Sequence, residues 1–136
     1  MTNKEIMEMI KIHEGYSDTV YLDTEGVSTG GYGHAFIVGS KIPHKVASEL
    51  FWHDVHQAIG DYGTLGLELD PVRRGVLIDM LFNLGITKLR KFVRFLSALR
   101  AGDYDDASLE MMDSKWAGQV KGRAVKLAEM MRTGEI

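Results

Sequence analysis

Between residues 15 and 35 the helical spacing that governs most of this chain gives way to a glycine-rich, strand-like stretch, and any fold must accommodate both regimes. Val20-Tyr21-Leu22 and Val27-Ser28-Thr29 flank the turn-like Asp23-Thr24-Glu25-Gly26, which predicts a β-hairpin. Gly30, Gly31 and Gly33 follow closely. They exclude a long helix here and permit a close approach of backbone to its neighbours. On the N-terminal side, Thr2 and Glu5 form a capping-box pattern, and Ile6, Met9, Ile10 and His13 recur at helical spacing. A helix over 3–13 is expected, with Glu14 at its end and Gly15 as its stop.

After the hairpin the periodicity is helical again. Pro43, with Ser40 before it, fits a first turn, and Val46, Leu50, Phe51, Val55, Ala58 and Ile59 share one face. The glycines within 60–69 predict a link between two lobes. Asp70-Pro71 is a strong helix start, and the broad stripe Val72, Val76, Leu77, Met80, Leu81, Leu84 predicts a buried helix ending at Gly85. Further helices are expected over 88–101, with Leu89, Phe92, Val93, Leu96 and Leu99 inward, from the Asp103 cap to about 114, and over 120–132. The predicted fold class is α+β and mostly helical. One domain, 1–136, would hold a small N-terminal hairpin lobe (about 14–60) and a larger C-terminal helical lobe (about 61–136, with the first helix packed against it), separated by a cleft.

Composition narrows the function. The chain has 136 residues and no cysteine, so its core alone must hold it together. Residues 1–68 carry 4 Lys/Arg and 10 Asp/Glu, whereas residues 69–136 carry 12 and 9. A net charge of −3 argues against nucleic acid as partner, while the positive half suits an anionic polymer. No apolar run approaches the ~20 residues of a membrane span, and no stable membrane association is expected. Met1 to Met9, with Lys4, Glu5 and Glu8, lack the apolar run of an export signal.

Glu14, Asp23 and Thr29 are the candidate chemistry. Cleaving a glycosidic bond takes a protonated acid at the leaving oxygen and a carboxylate that activates water or stabilises the sugar cation. Glu14 would lie at the negative end of a helix, which disfavours its charged form. Asp23 would lie on a wetter turn, where bonding the backbone of the hairpin is the alternative use of its side chain. Thr29 on the returning strand could hold a water.

His13-Glu14-Gly15, Tyr21-Leu22-Asp23-Thr24-Glu25-Gly26 and Thr29-Gly30-Gly31-Tyr32-Gly33-His34 resemble the active-site segment of the T-even phage lysozyme family. The resemblance continues through Val72-Arg73-Arg74, Phe82-Asn83-Leu84-Gly85, Ser114-Lys115-Trp116 and Arg132-Thr133-Gly134. It implies a lysozyme-like fold and a muramidase that cuts peptidoglycan glycan strands at the β-1,4 bond between N-acetylmuramic acid and N-acetylglucosamine, with inversion. Glu14 is then the catalytic acid, Asp23 the second carboxylate and Thr29 the residue that positions the attacking water. Phe82, Asn83 and Ala35 fall where the family lines its cleft, although Phe82 suits a core equally well. Arg123 matches an arginine that pairs with the acid end of the first helix. His34 and Asp54 match a pair that ties the hairpin lobe to the long helix. No metal or organic cofactor is implied. A monomer is expected, held in the host cytoplasm until a holin opens the membrane to the cell wall in the periplasm.

The sequence also departs from the family pattern. The segment Ala35 to Lys45 is much shorter, Phe95 fills a position beside the cleft that is usually small and polar, and His13 stands where an acid is common. A protonated His13 beside Glu14 would favour its carboxylate. Three rival readings remain: a catalytically weak peptidoglycan-binding or tail-associated module of the same fold, a lytic transglycosylase, and a metal site at His53, His56, Asp54 and His44. Glu14 and Thr29 argue against the first, Asp23 against the second, and the absence of H-E-x-x-H against the third.

Overall fold

The computed structural model describes residues 1–25, 27–35 and 37–136; Gly26 of the expected turn lies outside them. The chain opens with helix α1 (Asn3–Glu14), whose capping box is complete: Thr2 Oγ1 accepts from the Glu5 amide, and the Glu5 carboxylate accepts from the Thr2 amide. A three-stranded antiparallel sheet follows, in the order β1 (Ser17–Leu22), β2 (Ser28–Gly31), β3 (His34–Ala35). The hairpin pairs Leu22 with Ser28 and Tyr21 with Thr29, and its register is interrupted between Tyr21 and Ser17. The two-residue β3, which pairs Ala35 with Thr29, carries too little pattern to be read from sequence. A small core of Val20, Ile42 and Ala47 lies beneath the sheet.

Helix α2 (His44–Thr64) is longer than its glycines suggest. It passes through Gly60 and Gly63, so the expected link begins only near Leu65. Ala47, Phe51, Val55, Ala58 and Tyr62 face inward, while Val46 is exposed. Each glycine costs helix stability, yet burial of the Tyr62 ring between them, with its hydroxyl donating to the Leu67 carbonyl, offsets that cost. No side chain caps the first turn, so Ser40 is not the cap there.

Helix α3 (Pro71–Leu84) runs through the middle of the main core, with Gly75 to Leu81 all buried. It starts where Asp70-Pro71 predicts: the Asp70 carboxylate accepts from the Arg73 amide. The expected helix over 88–101 is two helices, α4 (Ile86–Leu89) and α5 (Val93–Arg100). A continuous helix would place Leu89 and Val93 on one stripe. The break at Arg90–Phe92 rotates the register, so Leu89 and Phe95 are buried and Val93 is 69% exposed. Helix α6 (Tyr104–Met112) begins at the Asp103 cap, and α7 (Lys115–Val120) at the Ser114 cap.

Helix α8 (Gly122–Thr133) starts two residues later than expected because the chain turns at Lys121, a lysine with φ +49°. A residue held in so sparsely populated a region costs on the order of 1–3 kcal/mol. The turn is where Val120 hands over to Arg123, both of which face the site described below. The resulting fold is α+β and mostly helical, with a small hairpin lobe and a larger helical lobe. No helix among the described residues is long and apolar enough to cross a membrane.

Asp70 offers a test of this framework. Burial pushes its carboxyl up, but hydrogen bonds and charge from Arg73 outweigh that and hold it below its ordinary value. Replacing it by alanine should cost about 1 kcal/mol in urea unfolding at neutral pH. A depressed carboxylate stabilises above its unfolded value, so the difference between wild type and variant should shrink as the pH falls below about 4.

Candidate active site

Glu14 is the last residue of α1, and Gly15, at φ +69°, turns the chain away into β1. The capping box at one end and this stop at the other fix where the helix delivers its final side chain. Glu14 lines a cleft of about 410 Å³ together with Tyr21, Asp23, Thr24, Thr29, Phe82, Asn83 and Arg123. That volume is in the range of small-ligand sites. One wall comes from the hairpin and the other from α3 and α8. The structure therefore brings Glu14, Asp23 and Thr29 to one hollow, with Phe82 and Asn83 opposite.

Each wall residue is held in a defined way. Asp23 Oδ1 accepts the Glu25 amide (2.9 Å) and the Val27 amide (2.8 Å), and the Asp23 amide donates to the Val27 carbonyl. The turn chemistry is real, but among the described residues its hydrogen bonds go to one oxygen, Oδ1. Thr29 is buried, and its hydroxyl donates to the Val27 carbonyl at 2.9 Å. With its proton committed, the hydroxyl oxygen is left to accept, as it would from a water. The Tyr21 phenol is held above its ordinary value by burial and by the charges of Glu14 and Asp23, so it stays neutral. Phe82 serves both readings: it packs on Phe51 at 5.6 Å between ring centres and also faces the cleft. Asn83 Oδ1 accepts from the Trp116 indole at 2.8 Å, which orients the amide.

Gly33 explains part of the glycine cluster. It has φ +82°, and a Cβ there would stand 2.7 Å from Glu14 Oε2. The turn between β2 and β3 thus presses bare backbone against the acid, which a side chain would displace.

The expected pairing of Arg123 with the end of the first helix is present, but its sharing with Asp79 is the part that sequence reading missed. Arg123 Nη1 donates to Glu14 Oε1 at 2.8 Å, and Arg123 Nε donates to Asp79 Oδ1 at 2.9 Å. The other Asp79 oxygen is 2.6 Å from His13 Nδ1. Asp79 is completely buried, and the Arg123 side chain is only 8% exposed. Burial opposes the arginine's charge, but the attraction of Asp79 and Glu14 prevails and raises its value. His13 therefore lies in the cleft lining beside Glu14, with its Nδ1 against Asp79 of α3. Asp79 sits inside the apolar stripe of α3, and a lone acid among Val76, Leu77, Ile78 and Met80 was the available signal.

Other assignments change as well. Ala35 lies beside Thr29 on β3 but is exposed and outside the cleft lining, because β3 is the outer strand of the sheet. Phe95 is 1% exposed and packs near Phe92, so it belongs to the core of the helical lobe and not to the cleft. His34 Nδ1 lies 2.6 Å from Asp54 Oδ2, joining β3 to α2. His56 stacks on Trp52 at 3.9 Å, its Nδ1 against the Trp52 carbonyl, and His53 lies near Asp54. Lys88 Nζ on α4 meets Glu25 of the hairpin turn at 3.1 Å.

A cleft with one carboxylate at a helix end, a second on the facing hairpin and a hydroxyl beside it is the equipment of a glycoside hydrolase of the lysozyme type. Comparison with known proteins agrees: the model of the phage lysozyme family matches residues 11–132, and the chain belongs to that family. It is similar to the pre-baseplate central spike protein Gp5 of Enterobacteria phage T4, with 30% identity over 98% of this chain and 28% of that protein. This chain thus spans little more than a quarter of the spike protein. It is also similar to two probable T4-type lysozymes of Dictyostelium discoideum, at 26% and 25% identity over 96% of this chain and 95% of each. These alignments run over 162 to 164 positions, more than the 136 residues present here, so the relatives carry segments that this chain lacks.

The shared arginine predicts unequal losses. Arg123→Met leaves two carboxylates without their cation, and unfolding in urea should show a loss of about 3–5 kcal/mol. Glu14→Gln leaves the Arg123–Asp79 pair in place and should change stability by less than about 1 kcal/mol.

Proposed function

We propose that this protein is a muramidase that hydrolyses the β-1,4 bond between N-acetylmuramic acid and N-acetylglucosamine in peptidoglycan, with inversion. The observation that carries this reading is the convergence of Glu14, Asp23 and Thr29 on one cleft between a hairpin and a helical wall. Glu14 gives its proton to the leaving glycosidic oxygen. Glu14 stands at the C-terminal end of α1 and takes one hydrogen bond from Arg123. Thr29 accepts a hydrogen from a water on the far face of the sugar, and Asp23 takes the water's proton as it attacks. Phe82 gives the sugar ring an apolar surface, and Asn83 offers its amide.

The same reading carries the remaining expectations. The sheet-bearing lobe spans about 14–60, and the helical lobe 61–136 with the first helix. His34 and Asp54 support the hairpin from α2. The chain works as a monomer without metal or organic cofactor, reaches the wall through a holin-opened membrane, and serves phage-mediated lysis. A tail-associated role is the second reading, favoured by the similarity to a T4 spike protein. Mass spectrometry of purified virions separates the two, since only a tail component is found in the particle.

Glu14→Gln should lower turnover of purified peptidoglycan to background, with the circular dichroism spectrum unchanged; near wild-type clearing would falsify the assignment. Asp23→Asn should cost less than Glu14→Gln in the same assay. Product mass is independent of both. Reducing ends mark hydrolysis, and anhydromuramyl ends would point to a transglycosylase.

A further inference from the structure

We propose that Asp79 is a positioning residue that keeps Glu14 able to hold its proton, by competing with it for the Arg123 guanidinium, and that His13 adjusts that competition. The inference rests on Glu14 as the acid of the proposed reaction.

The geometry of the arginine fork is the starting point. A guanidinium that meets one carboxylate through two nitrogens makes a strong bidentate pair and stabilises the anion. Arg123 does not meet Glu14 in that way. Glu14 receives a single hydrogen bond, from Nη1, because Nε is taken by Asp79. The third nitrogen, Nη2, is buried and has no hydrogen-bond partner among the described residues. The positive charge is therefore divided between two carboxylates, and each weakens the hold on the other. An arginine committed wholly to Glu14 would keep it ionised and useless as a proton donor.

The charge count leads to the same place. Glu14 and Asp79 carry two negative charges against the single positive charge of Arg123. A net buried charge is costly, and one proton removes it. That proton can sit on Glu14 or on His13, whose Nδ1 lies against Asp79 Oδ2. The two sites are alternatives. A proton on His13 satisfies Asp79 and releases Arg123 toward Glu14, while a neutral His13 leaves the demand to be met at Glu14. The other titratable groups lining the cleft with Glu14 are Tyr21, which stays neutral, Asp23 and His13 itself. His13 also borders a second hollow, which Glu8 of α1 and Lys126 of α8 help to line.

The test follows the Glu14 side-chain carboxyl by carbon NMR across pH in the labelled full chain, alongside the pH dependence of kcat/KM on peptidoglycan. Asp79→Asn keeps the shape and an acceptor for Arg123 Nε but removes the charge. The Glu14 midpoint should fall by about one pH unit, and the alkaline limb of the activity profile should fall with it. His13→Asn keeps a donor for Asp79 but cannot take a proton; its Glu14 midpoint should lie at or above wild type. An unchanged or raised midpoint in Asp79→Asn, or a lowered one in His13→Asn, overturns the proposal. A merely structural Asp79 would lower kcat at every pH and leave the midpoint in place. If Asp79→Asn does not fold, the His13→Asn titration decides by the same criterion. The NMR arm reads Glu14 whether or not the protein cleaves peptidoglycan, so failure of the proposed function registers separately, as absence of turnover in the wild type.

Discussion

The structure depends on one buried cation. Arg123 enters from the start of α8 and meets the end of α1 and the middle of α3. An arginine with so little exposure is tolerable only if its charge is matched, and the two carboxylates that match it come from different helices. The three helices are therefore fixed in register as well as packed together. In a chain without cysteine, this connection joins the burial of Ile6 and Ile10 in the main core in setting the first helix against the helical lobe, although the hairpin follows it in sequence. The strained turn at Lys121 fits the same picture, because it starts α8 at the point from which Arg123 reaches inward.

The site divides its work between two kinds of scaffold. Glu14 is held by a helix end, by Arg123 and by the bare backbone of Gly33, all rigid features. Asp23 and Thr29 belong to the hairpin, where backbone hydrogen bonds within the turn fix one carboxylate oxygen and the hydroxyl proton. Among the described residues, the hydrogen bonds that support the hairpin use one oxygen of Asp23 and the proton of Thr29, not the second oxygen or the acceptor side.

Much of this was legible in the sequence. The capping box at Thr2, the Asp70-Pro71 start and the hairpin stand where local signals place them, because each is decided by atoms a few residues apart. The breaks at Arg90–Phe92 and Lys121 were not legible, since the core chooses which residues turn inward and overrides the continuous stripe. Gly60 and Gly63 misled for the same reason: packing of Tyr62 outweighs their weak propensity. At the site, Glu14, Asp23, Thr29, Phe82 and Asn83 share the cleft, while Ala35 and Phe95 do not. Asp79 escaped notice because its partners, His13 and Arg123, lie far away in the chain, and only the folded structure brings them together.

The Lys88–Glu25 ion pair has a consequence for how firmly the hairpin is held. It fastens the hairpin turn to α4, so any movement of the turn away from that helix must break it. Both side chains are largely in water, where such a pair is worth at most about 1 kcal/mol and weakens as salt rises. The fastening is therefore loose, and thermal motion undoes it readily.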